Sequence, residues 1–158
     1  SAFDLGEEVQ ELHYNNYPRG THIAFRIAAL NQGKGFNTKF GRKGSKLLSY
    51  EEIELCYRLE QLGHQIYYVP QLEVTHLIRS ERIDPKWFTK RAFWQGRSEA
   101  IFDHFHRDKS YRWKKCFSIA VESMRGRSCY SEKGYLWETI LLLFQPTNKI
   151  PSQLKSSQ

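Results

Sequence analysis

Between residues 49 and 63 the chain follows a helical pattern. Apolar side chains recur at Leu55, Cys56, Leu59 and Leu62, three and four apart, the spacing of one helix face. Ser49 followed by Glu52 has the form of a capping box at the start, and Gly63 supplies the stop. The period then shortens. Gln65–Val69 predicts a strand ended by Pro70, and Leu72–Leu77 alternates, so that Leu72, Val74 and His76 share one face. Asp84 as N-cap and Pro85 at the first helical position announce a long helix running to about Phe105. Further helices are predicted over 112–124 and 136–144. Upstream, Thr21–Phe25 reads as a short strand and Arg26–Asn31 as a short helix broken by Gly33 and Gly35, before a Gly/Lys/Arg loop over 36–46. The first eighteen residues are polar and turn-rich, and the tail from Pro146 is polar and expected to fray. The order predicts an α/β or α+β half-domain followed by a helical extension. The start at Ser1, without methionine, suggests a piece of a longer protein.

A length of 158 residues is enough for one real core, and 40% hydrophobic with 26% charged residues excludes disorder as the default. The 15% aromatic share suits a lined pocket or a plain aromatic core. The net charge of +7 favours polyanionic partners. It is clustered: Lys34, Lys39, Arg42, Lys43 and Lys46 fall in one stretch without an acid, and Arg107–Lys133 holds eight basic and three acidic residues. Either run also reads as a solvated face. Cys56, Cys116 and Cys129 form no CxxC pair and there is no glycosylation sequon, which points to a reducing cytoplasm. The apolar stretch 135–144 is interrupted by Glu138 and is too short for a bilayer span of roughly 20 residues. It suits a helix over the core or one lying on a membrane surface.

Four features can carry chemistry. Glu51 and Glu52 open a helix, where free N–H groups and the helix dipole favour an ionised carboxylate able to act as a general base. Capping alone explains them equally well. His76 can ligate a divalent metal or be a satisfied core histidine. Arg79 and Arg82 can hold phosphate or simply be solvated. Arg42 lies in a basic Gly41-Arg42-Lys43-Gly44 loop whose N–H groups can meet an anion, though this is neither a Walker A loop nor a dinucleotide fingerprint.

Taken in order, Gly20-Thr21-His22-Ile23-Ala24-Phe25-Arg26, Gly35-Phe36, Phe40–Gly44, Leu47–Leu55, Tyr57-Arg58-Leu59, Gly63, Ile66–Pro70 and Val74-Thr75-His76 resemble the second half of family-2 glycosyltransferases. The resemblance covers about residues 18–100 and rests on the series of motifs. It implies a partial GT-A domain over 1–106, with a helical extension and tail over 107–158. It also implies inverting sugar transfer from a nucleotide-sugar to an acceptor hydroxyl. Glu52 then matches the acceptor-deprotonating position of the family's Glu-Asp pair, with Glu51 beside it for acceptor binding. His76 matches a histidine completing the site of a divalent metal, Mn²⁺ or Mg²⁺. Arg79 and Arg82 would face donor phosphates, with Arg42 a further substrate contact. Trp94 lies on the segment resembling the helix beneath the acceptor. Two departures stand out: Thr21-His22 replaces a small residue and Asn, and the nucleotide-binding half with its DxD motif is absent, so the chain alone is expected to be inactive or one part of a larger polypeptide. The implied partners are the donor and a glycan or lipid-linked acceptor, not nucleic acid, at the cytoplasmic face of a membrane with peripheral membrane contact. The rival readings are a basic nucleic-acid-binding module and a non-catalytic membrane-surface domain.

Overall fold

The computed structural model describes residues 4–18, 20–127 and 129–144. The chain start and the tail from Pro146 lie outside them. The chain divides into two compact units, one built from the residues up to Lys39 with Glu51–Leu77, the other from Phe40–Tyr50 with the residues from Ile78 onward. The expected boundary at 106/107 falls inside the second unit.

In the first unit, strand β1 (Gln10–Leu12) pairs antiparallel with β2 (Ile66–Tyr68), Gln10 opposite Tyr68 and Leu12 opposite Ile66. Helix α1 (Ile27–Gln32) is short, and α2 (Glu51–Gln61) is the main helix. One face of α2 brings Cys56 against Leu12 and Tyr17, with Ile53, Tyr57 and Ile66 around them. On the other, Leu55 and Leu59 pack against Gly33, where an added Cβ would come within 2.9 Å of Leu59. Gly63, at φ 85°, turns the chain out of α2, as its sequence position predicts.

The segments 21–25 and 72–77, expected as strands, join no ladder among the described residues. Leu72, Val74 and Leu77 are exposed. Alternation tells which side chains a pleated face would bury, but a strand needs a neighbouring backbone to supply its hydrogen bonds. Conversely, β1 arises in a stretch with no legible period, because β2 provides that partner.

The second unit is helical. After a single 3₁₀ turn at Ser80–Arg82 come α3 (Pro85–His106), α4 (Lys109–Met124) and α5 (Tyr130–Leu143). The Asp84 carboxylate accepts from the Lys86 N–H at 2.9 Å with Pro85 at the first turn, as predicted. Helix α5 begins six residues before the predicted Leu136. The Glu132 carboxylate accepts from the Cys129 N–H at 2.7 Å, and Gly134 is a contact point within the helix, not a break. A Cβ at Gly134 would lie 1.9 Å from the Phe93 carbonyl oxygen, and one at Gly96 would lie 1.7 Å from that of Ser131. The backbones of α3 and α5 therefore meet directly at two glycines. Beside that contact, Arg97 of α3 donates to Glu138 of α5 at 2.6 Å, which accounts for the acid interrupting the apolar run. Asp103, fully buried, accepts from Tyr135 Oη at 2.9 Å and from Lys115 Nζ at 2.8 Å, joining all three helices.

Candidate active site

Helix α2 starts at Glu51, directly after Tyr50, whose φ of 79° is outside the helical path and uncommon for a residue with a Cβ. The capping box suggested by Ser49 and Glu52 does not form. Ser49 lies one residue too far upstream, and its hydroxyl donates to Gln95 Oε1 at 3.1 Å. The Glu52 carboxylate is thereby available for another partner. Its Oε1 accepts from the Gly20 N–H at 2.7 Å. A Cβ on residue 20 would stand 2.7 Å from the same oxygen, so a larger residue there displaces the tip of the Glu52 side chain. One oxygen of Glu52 is thus held by backbone while the side chain remains partly open to solvent.

The rest of α2 separates the acids by role. Glu54 is fully buried and bonded to Arg58, with Nε at 2.9 Å from Oε1 and Nη2 at 2.8 Å from Oε2. Arg58 also donates to the carbonyls of Gly33 and, at 2.7 Å, Gly35. This pair ties the loop after α1 to α2 and is structural. Glu60 accepts from the Tyr17 hydroxyl and stands 2.8 Å from His13 Nδ1. Burial first, and then Glu60, push the Tyr17 hydroxyl far above its ordinary value. Cys56, between Glu52 and Glu60 along the same face, has its thiol pushed up to about 12 by burial and by those two carboxylates. It stays protonated near neutral pH and is a packing residue, not a nucleophile. Glu51 is half-buried. Of the acids in the first turn, Glu52 combines a fixed carboxylate with access.

His76 is exposed in the irregular segment after β2. His22 Nδ1, 3.2 Å from the Leu72 carbonyl, connects the Gly20 segment to the chain leading to His76. Among the described residues no group of three or more His, Cys, Asp or Glu side chains is placed to hold a metal ion, and one imidazole alone is not a cation site. In the second unit, Arg42 and Arg79 are exposed, while Arg82 lies with its guanidinium 6.0 Å from the Trp87 ring centre. Trp94 is half-buried under Arg97, whose guanidinium is 4.3 Å from its ring centre. Glu51, Glu52 and His76 thus belong to one unit, and Arg42, Arg79, Arg82 and Trp94 to the other. The partner of Glu52, Gly20, was not singled out for that role from sequence; its only signal is its place at the head of the first motif.

No family model and no solved structure matches the chain. It is similar to the glucosyl-dolichyl phosphate glucuronosyltransferase of Haloferax volcanii, with 34% identity over 100 residues, 63% of this chain and 31% of that protein. The chain thus spans about a third of the length of that curated relative.

Proposed function

We propose that this chain is the acceptor-side part of a family-2 glycosyltransferase, a partial GT-A domain with a helical extension, in which Glu52 is the general base. The observation that carries the proposal is the Glu52 carboxylate at the start of α2, one oxygen fixed by the Gly20 N–H and the side chain still accessible. The similarity to a glycosyltransferase supports a sugar-transfer function. Glu52 takes the proton from the acceptor hydroxyl as that oxygen attacks the anomeric carbon of a nucleotide-sugar. The bond to the nucleoside diphosphate breaks, and the configuration inverts. A base held in place loses little orientation freedom on meeting its substrate, which is where much of such catalysis arises. The resemblance assigns Glu51 to acceptor binding, Arg79 and Arg82 to donor phosphates and Arg42 to a further substrate contact, and it puts Trp94 on the segment resembling the helix beneath the acceptor. A divalent ion is part of the resemblance, and His76 would supply one nitrogen toward it.

The relative's name includes a dolichyl phosphate glucoside, and a lipid-linked acceptor is the corresponding proposal for this chain, at the cytoplasmic face of a membrane. Among the described residues, no helix is long and apolar enough to cross one. The test is thermal unfolding of the chain with UDP-, GDP- and dTDP-sugars, with and without Mn²⁺, followed by transfer of labelled sugar to a dolichyl phosphate glucoside by the chain joined to a nucleotide-binding half. Stabilisation by one nucleotide class, with transfer lost in Glu52→Gln while binding persists, is the expected result. Transfer by Glu52→Gln at the wild-type rate, or salt-sensitive stabilisation by single-stranded RNA alone, overturns the reading.

A further inference from the structure

Among the described residues, helices α4 and α5 each have one apolar face that is covered and another that is exposed. On α4, Ile119 is buried, while Trp113, Phe117 and Met124 are 62%, 73% and 81% exposed. Their spacing of four and seven places them on one helical stripe. On α5, Gly134, Tyr135, Glu138 and Leu142 face inward, while Trp137, Ile140 and Phe144 line the opposite side. Single exposed apolar residues need no explanation, but aromatic and aliphatic stripes repeated on two consecutive helices do.

The surrounding charge indicates what covers them. Lys109 and Lys114 flank the α4 stripe, Lys133 stands among the outward residues of α5, and all three are exposed. Lys133 lies with its ammonium 5.1 Å from the Tyr130 ring centre. Lysines bordering tryptophan and aliphatic side chains suit the boundary between lipid headgroups and acyl chains, where indole rings and long cationic side chains are both satisfied. A second copy of the same stripes would oppose lysine to lysine, and RNA would leave Met124 and Ile140 without a partner. Neither helix can span a bilayer. We propose that the outward faces of α4 and α5 dock this chain on the surface of an anionic lipid bilayer, each lying in the headgroup region. This deepens the membrane-face part of the proposed function by naming the surface that makes the contact, and vesicle binding tests it separately from sugar transfer.

The test is co-sedimentation of the whole chain with phosphatidylglycerol/phosphatidylcholine vesicles, compared with pure phosphatidylcholine, at low and high salt. The expected result is binding to the anionic vesicles, weakened by salt and nearly lost on neutral ones. The paired variants Trp113→Ser/Phe117→Ser and Trp137→Ser/Phe144→Ser each lower the partition coefficient about tenfold or more. Lys109→Glu/Lys114→Glu/Lys133→Glu lowers it on the order of a hundredfold on anionic vesicles. The control Tyr67→Ser/Leu77→Ser, exposed in the first unit, leaves it unchanged. All these positions are exposed, so cooperative melting near the wild-type temperature checks that each variant folds. Brominated lipid quenches tryptophan fluorescence less in the Trp113 and Trp137 variants. Wild type that stays in the supernatant with anionic vesicles overturns the proposal. So does unchanged binding by both paired variants, or a dimer in size exclusion that these variants convert to monomer without any vesicle binding.

Discussion

Helices α2 and α3 are both well packed, but against different materials. The surroundings of α2 are mostly loop, held through polar contacts: Arg58 to the Gly33 and Gly35 carbonyls, Gly20 to Glu52, Tyr17 to Glu60. Helix α3 meets another helix, backbone against backbone at Gly96 and Gly134, with its ion pairs beside that seam. The first arrangement adds specific bonds to its apolar contacts, and the second rests on close backbone packing. Substitutions therefore act differently in the two regions.

The largest expected effect on stability is at Arg58. Glu54 is fully buried, so Arg58→Met takes away the guanidinium bonded to both of its oxygens and removes donors from two carbonyls. The expected loss is about 3–5 kcal/mol, read from the urea midpoint. Adding Glu54→Leu to Arg58→Met removes the buried charge, so the double variant is expected to be more stable than the single one. A double variant as unstable as the single would mean that the loop bonds, not the ion pair, dominate around α2.

Next comes the α3–α5 seam. In Gly134→Ala the new methyl meets the Phe93 carbonyl, and no side chain can rotate away to make room, so the helices must separate. A loss of about 2 kcal/mol or more is expected, despite the roughly 1 kcal/mol that alanine contributes over glycine inside a helix. A neutral or stabilising outcome in chemical denaturation would remove backbone contact as the difference between the regions.

The two regions were also unequally legible in the sequence. Helix α3 could be bounded from Asp84-Pro85 and its aromatic residues because cap chemistry is local. The existence of α2 followed from its apolar spacing, but Ser49 was not its cap, because Gln95 and Ser98 engage that residue. The segments 21–25 and 72–77 alternate as strands should, yet pairing is a property of neighbours far along the chain, which no local pattern contains. Glu52 was marked as an acid at a helix start; that Gly20 would hold it, 32 positions away, was not visible for the same reason. Glu54 and Glu52 look alike in sequence, and only the side of α2 each occupies separates the structural acid from the candidate base.

The region around α2 also responds to alkali. The buried Cys56 thiol is raised from 9.0 to about 12, so between those values the folded chain retains a proton that the unfolded chain has lost. Its stabilising contribution is complete below about 9 and is lost as the pH rises towards 12. The Tyr17 hydroxyl, raised in the same sense, extends the decline. Urea midpoints across this range are expected to fall less steeply in Cys56→Ala than in wild type, whatever that variant's stability at neutral pH. Equal slopes would refute the assignment to Cys56.

The smallest expected effect on stability is at the residue proposed to matter most for activity. Glu52→Gln keeps an oxygen that can accept from the Gly20 N–H, and the side chain is partly open to solvent, so the variant is expected to melt within about 1 kcal/mol of wild type. The amide cannot take up a proton from an acceptor hydroxyl, and sugar transfer is expected to fall by about 10²–10⁴-fold. Gly20→Ala is the complementary probe, because its Cβ would press on the Glu52 carboxylate without changing that residue's chemistry. If Glu52 acts as a positioned base, displacing it lowers the transfer rate in Gly20→Ala as well, with the base's pH profile retained. If Glu52 only secures the loop, Gly20→Ala loses stability, Glu52→Gln stays near wild type, and neither loses rate per folded molecule. Measuring rate and urea midpoint together on the same two proteins separates these cases, which stability alone cannot do.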